Sequence, residues 1–248
     1  MKTKRIVWLW ATVAWTVSAQ AGWFGGGPEQ DPSEKLGAIF GNDTAFSAQA
    51  QITVTDKKGR ETYAGETGYA YLNGKVRAEI DLTKTRAGKK RSDEMEQLKM
   101  LGMDTMVYIT RPDKNVTFVV YPSMQAYCEM PIEKKKGRET GKPPKVEKTE
   151  LGNETVDGHP CKKTKVAVTD EDGKTQEFLT WEALDLKGFT VQTEYQEEGN
   201  TVRQLFKEIK LTKPPAALFD PPTGSTKHAS VQEMMMSNMK KLLQGMGQ

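Results

Sequence analysis

The sequence predicts a mainly β protein of the α+β kind: a curved antiparallel sheet with short helices on its concave face and a Met-rich helix at the C terminus. Three observations predict it. From Thr164 to Leu211 apolar and polar residues alternate in runs separated by Asp170-Glu171-Asp172-Gly173, Asp185-Leu186-Lys187-Gly188 and Glu197-Glu198-Gly199-Asn200, the spacing of a meander. Upstream, Asn73-Gly74 sits between two alternating runs, the strongest short hairpin signal. The composition, 28% charged and 36% hydrophobic, suits a sheet wetted on its outer face.

The chain opens on a targeting segment. Lys2, Lys4 and Arg5 precede an apolar run, Ile6 to Val17, and Ala19-Gln20-Ala21 is a small-x-small site, so residues 1–21 form a signal peptide cleaved between Ala21 and Gly22. The run is too short for a membrane span, and no later segment is apolar enough for one. No Cys follows the cleavage site to carry an acyl anchor. The expected location is an exported compartment, most simply a bacterial periplasm. Three of the 36 basic residues leave with the signal, which balances 33 against 33 acidic ones, so charge gives no reason to expect nucleic acid or an anionic membrane.

Residues 22–30, with Gly25-Gly26-Gly27, are expected to be flexible, and residues 31–228 to form one domain. Asp31-Pro32-Ser33-Glu34 starts a short helix bearing Leu36, Ile39 and Phe40. Phe46 to Thr55 is a strand. Glu61 to Leu72 and Lys75 to Leu82 form the Asn-Gly hairpin. Asp93 to Leu101 is a second helix, stopped by Gly102 and striped by Met95, Leu98 and Leu101. Met106 to Thr110 and Val116 to Tyr121 form another hairpin. Glu133 to Lys148, rich in Lys, Gly and Pro, reads as an exposed loop; its lysine blocks are either a solvated surface or an anionic docking patch. After the meander, Leu218-Phe219 is an apolar plug between proline pairs, expected to tuck against the sheet edge. Ser230-Val231-Gln232-Glu233 is a capping box that opens a helix over 229–248 with Met235, Met239, Leu242 and Met246 at helical spacing.

Cys128 and Cys161 in an exported chain favour a disulfide, two unpaired thiols being the other reading. After the signal only His159 and His228 remain, without metal-pair spacing, and no nucleophile constellation or phosphate loop is present. No metal, no cofactor and no catalytic residue is expected, and the chain reads as a non-enzyme. The methionines cluster in two helices. They suit an adaptable apolar lining, ordinary core packing or a soft copper(I) site.

The run Phe178-Leu179-Thr180-Trp181-Glu182-Ala183-Leu184-Asp185-Leu186-Lys187-Gly188-Phe189, with Ala217-Leu218-Phe219-Asp220-Pro221-Pro222-Thr223-Gly224 after the meander, resembles a group of uncharacterised exported bacterial proteins, a domain of unknown function. That group is similar to the outer-membrane lipoprotein carriers, the LolA/LolB-like fold. The resemblance covers roughly residues 33–226. It implies a half-barrel of about eleven strands whose concave side is plugged by short helices. It adds no ligand residue, and the Met-rich C-terminal helix lies beyond the family tail.

The expected function is binding of a lipid or acyl chain in the half-barrel, lined by Tyr108, Phe118, Val120, Phe178, Trp181 and Val191, with Met95 and Leu98 as plug. The alternative is a structural protein with a self-filled concave face. It would dock an envelope protein partner through Met235, Met239, Leu242 and Met246.

Overall fold

The structure is a computed structural model that describes residues 45–86, 92–132, 145–169, 173 and 175–245. The expected signal peptide, the Gly-rich N terminus and the Asp31 helix lie outside the described residues.

Twelve strands form a single open sheet: β1 (Ala45–Thr55), β2 (Glu61–Leu72), β3 (Lys75–Asp81), β4 (Thr105–Arg111), β5 (Val116–Tyr121), β6 (Ala126–Pro131), β7 (Lys145–Val156), β8 (His159–Thr169), β9 (Thr175–Ala183), β10 (Phe189–Glu197), β11 (Asn200–Lys210) and β12 (Thr226–His228). Their spatial order is β12-β6-β5-β4-β3-β2-β1-β11-β10-β9-β8-β7. The sheet therefore consists of two sequential meanders, an N-terminal wing β1–β6 and a C-terminal wing β7–β11, zipped together by β1 and β11. All pairings are antiparallel except the short parallel ladder of β12 on β6. Two helices, α1 (Ser92–Met100) and α2 (Val231–Gly245), complete the described elements together with short 3₁₀ turns.

Local sequence explains the hairpins. Asn73 and Gly74 both adopt positive φ (49° and 83°), the conformation that a two-residue turn requires to match strand twist. Gly102, at φ 66°, ends α1 with its N–H on the Lys99 carbonyl. At α2 the Glu233 N–H donates to Ser230 Oγ, and the Glu233 carboxylate accepts from the Ala229 N–H, one residue earlier than a standard capping box.

The sheet is curved, so that side chains two strands apart meet on one of its faces. Ring contacts identify the concave side: Phe46 on β1 meets Phe189 on β10, two strands away, at 5.1 Å, and Phe189 meets Phe206 at 5.8 Å. Bulges opposite Ser47–Gln49, where Glu208 takes φ 51°, and at Val191 lie in this region.

Three expectations need correcting. Residues 145–148 belong to β7 rather than to the lysine loop. β7 itself escapes notice in the sequence because it is exposed along almost its whole length and shows no alternation. The outer face is not uniformly wet: Ala70, Leu72, Val107, Ile109, Phe118 and Val120 form a dry convex cluster around Phe219. The Leu218-Phe219 plug accordingly sits on the convex face, not at the sheet edge; the edge position is taken by β12.

Candidate functional site

The concave face can be traced strand by strand. Phe46, Tyr71, Val76, Thr110, Thr117 and Met130 face one another in successive pairs from β1 to β6, and Tyr69, Ala78, Tyr108, Val119 and Cys128 make the next row. In the other direction Ile52 pairs with Gln204, Gln204 with Thr193, Thr193 with Thr180 and Thr180 with Thr164; Val54, Val202, Tyr195, Phe178 and Val166 run parallel to them. None of these positions is charged. Ionised side chains enter at the end of β10, where Glu197 follows Tyr195, and towards the β7 margin, where Lys148 faces Val166, Glu150 faces Thr164, and Glu182 and Lys162 pair with Lys148 and Glu150.

The two wings cover this face differently. Over β4–β6, Met234 of α2 is 1% exposed and packs with Met103, Met106, Val119, Tyr121, Ala126 and Cys128, flanked by Leu98, Leu101, Val231 and Met235. Asn238 Nδ2 donates to the Leu101 carbonyl at 2.7 Å and ties α2 to the end of α1. Burial pushes the Tyr121 hydroxyl up to about 12 and raises Tyr108 as well, so both stay neutral. In the other wing Phe189, Val191 and Phe206 meet Phe46 across the β1–β11 seam, and these four, all at most 2% exposed, form the aromatic centre with Trp181, Ala183 and Cys161. Burial also raises Tyr69, whose hydroxyl lies against Gln204 and Thr67.

On the convex side the chain after β11 forms a strap. Phe219 is fully buried against β2–β6, and the Arg111 guanidinium fixes it, donating to the Phe219 carbonyl at 3.0 Å, to Asp220 at 2.6 Å and to both oxygens of Asp113. Arg111 holds the Asp113 carboxyl down at about 2, and Lys114, with Arg111 nearby, lowers Asp220. The strap then rounds the sheet edge as β12 and returns along the concave face as α2.

The expected lining residues separate. Tyr108 faces the concave side at the margin of the α2 cluster; Phe178 and Val191 face it in the C-terminal wing. Phe118 and Val120 turn to the convex face under Phe219 and share no surface with Val191, a correction that follows from strand parity. Trp181 is buried, but its indole N–H donates to the Glu154 carboxylate, and Lys163 Nζ lies 4.7 Å above the ring. It fastens edge strand β7. Leu98 packs in the α2 cluster, whereas the Met95, Leu242 and Met246 side chains lie outside the described residues. Met235 is half-buried and Met239 is 49% exposed.

The disulfide is also corrected: Cys128 on β6 and Cys161 on β8 have eight strands between them, and both thiols are free and buried. Burial raises both thiols, which leaves them protonated and unreactive. Among the described residues no three His, Cys, Asp or Glu side chains gather as a metal site. His159 Nδ1 pairs with Asp185 at 2.8 Å across a surface turn. No described helix is long and apolar enough to cross a membrane.

Residues 71–187 match the family described as a domain of unknown function, DUF4412. No curated protein matches the sequence. Among solved structures, the chain is similar to the lipoprotein LppX of Mycobacterium tuberculosis (10% identity, 66% of this chain and 85% of that one, TM-score 0.35). It is also similar to LprF of Mycobacterium bovis (10%, 79% and 98%, 0.37) and to the LolA superfamily protein NE2245 of Nitrosomonas europaea (10%, 75% and 94%, 0.30).

Proposed function

We propose that the protein is an exported, non-enzymatic binder of an apolar ligand, an acyl chain or lipid, held on the concave face of its C-terminal wing. The observation that carries this reading is the distribution of charge. The central concave rows from Cys128 on β6 to Phe178 on β9 contain no ionised side chain; Glu197 stands only at the end of β10 and Glu182 and Lys162 only towards the β7 edge, and ion pairs such as Arg203–Glu194 and Lys165–Glu177 stand on the other face. An apolar concave surface gains about 0.8 kcal/mol for each methylene it removes from water. α2 and α1 fill the β4–β6 side, which leaves Phe46, Phe189, Val191 and Phe206 as the candidate surface. These side chains are closed to solvent as they stand, so entry requires their cover to move. Native mass spectrometry of gently purified protein, with uptake of a fluorescent fatty-acid ester, tests the reading. Co-purifying lipid or saturable uptake is expected; protein that never carries or takes up either refutes it.

A second reading rests on Met236 and Met239, which α2 leaves 66% and 49% exposed. Such a thioether surface suits docking of an envelope partner. Deleting residues 230–248 separates the two: loss of a partner with ligand uptake intact favours docking, and altered uptake favours a lid.

A further inference from the structure

The concave face of the C-terminal wing is not uniformly greasy. One row crosses it as Gln204, Thr193, Thr180 and Thr164, each directly opposite the next on β11, β10, β9 and β8. At about 4.8 Å per strand the row runs about 14 Å. Apolar rows flank it on both sides: Phe206 and Val191 on one, Val202, Tyr195 and Phe178 on the other. Gln204, Thr193 and Thr164 are 4%, 0% and 3% exposed. Thr180 Oγ1 donates to the Thr164 carbonyl at 3.4 Å. Thr193 Oγ1 and Thr164 Oγ1, however, find no hydrogen-bond partner, and Gln204 Nε2 has only the Tyr69 hydroxyl beside it; among the described residues the only other buried side-chain polar atom without a partner is Thr85 Oγ1, which stands apart from the row. A buried polar atom left unpaired costs about as much as a lost hydrogen bond, and two hydroxyls in one line mark a place where something else supplies the partners.

We propose that Gln204, Thr193 and Thr164 form a docking row for the uncharged polar group of an acyl ligand. Its chemical class is an ester or amide, whose carbonyl accepts from the Gln204 amide and the threonine hydroxyls. No cation stands in the row, and the nearest ones on this face, Lys162 and Lys148 at the β7 margin, are already paired with Glu150 and Glu182, so a carboxylate arriving there loses its hydration without a free counterion. The row thus selects acyl esters and amides over free fatty acids. This inference rests on the apolar-ligand reading above.

The test uses the full-length chain, stripped of lipid, with three probes of matched chain length: monooleoylglycerol, oleate at pH 8, and 1-octadecene. Equilibrium dialysis is expected to show monooleoylglycerol binding about tenfold tighter than oleate, about 1.4 kcal/mol. Thr193→Val and Gln204→Leu are expected to lower monooleoylglycerol affinity by about that factor and to leave 1-octadecene unchanged. Oleate equal to monooleoylglycerol overturns the docking row, as do variants that bind the ester as well as the parent chain does, a result that would assign the row to trapped water. If 1-octadecene and the ester both fail to bind, the apolar-ligand reading falls with it; if only the ester preference is missing, that reading stands and the row does not. Thr193→Val is nearly isosteric and removes an unpaired hydroxyl, so its urea midpoint is expected to match or exceed the parent's. A lower midpoint means that the hydroxyl is already satisfied inside the protein and overturns the proposal.

Discussion

The two wings of the sheet are built from similar meanders and stabilised in different ways. The N-terminal wing is dry on both faces, with Phe219 and the strap on the convex side and Met234 on the concave side. The C-terminal wing is dry only inside. Its convex side carries cross-strand ion pairs such as Arg203–Glu194 at 2.8 Å and Lys165–Glu177 at 2.7 Å, and its edge strand β7 is held by Trp181, Lys163 and Glu154. A sheet needs one covered face to be stable. The wing with a second cover is therefore the rigid frame, and the wing without one is the less braced of the two.

The largest expected effect is on the frame. Phe219→Ala empties a fully buried site and is expected to cost about 3–5 kcal/mol by urea denaturation. Hydrogen exchange should quicken in β4–β6 more than in β8–β10. Equal loss in both wings would erase the distinction between them. Met234→Ala follows, at about 2 kcal/mol or more. Its sharper readout is chemical: a thiol reagent should reach Cys128, buried beside Met234, while Cys161 in the other wing stays protected. Arg111→Ala removes the donors to Phe219, Asp220 and Asp113 and is expected to cost about 1.5–3 kcal/mol.

Acid acts on the same strap. Asp113 and Asp220 have folded-state values below the ordinary 3.8, so their contribution is complete above that value and is lost as pH falls towards about 2. Frame stability is expected to decline over that window, and the Arg111→Ala variant should decline less. The smallest effect lies on the C-terminal wing: Lys165→Ala removes a half-exposed ion pair and should change stability by less than about 1 kcal/mol, and less still at high salt.

Much of the sheet was legible because its signals are local. Asn73-Gly74 sets one hairpin, and Phe189, Val191, Thr193 and Tyr195 alternate as a strand with one buried face must. What was not legible depends on residues distant in sequence. Phe118 and Val120 alternate as well as Tyr108 does, but their face was decided by Phe219, about a hundred positions downstream. β7 shows no periodicity because an exposed edge has no inside. The cysteine pairing failed because exported cysteines suggest a bond only when topology brings their strands together, and here it places them on opposite wings. The polar row could have been noticed as Thr164, Thr180, Thr193 and Gln204 at inward positions, but its register needed the bulge at Val191.

The position of β1 in mid-sheet has a kinetic consequence. Each meander closes on neighbours a few residues away, whereas the seam joins Ser47 to Lys210 and Thr55 to Thr201. Loop closure on that scale is slow compared with hairpin formation. During synthesis the first strand therefore waits, one ladder unsatisfied, until the eleventh emerges. Both open margins are sticky in the interval, and a holding chaperone would have most to shield at that stage.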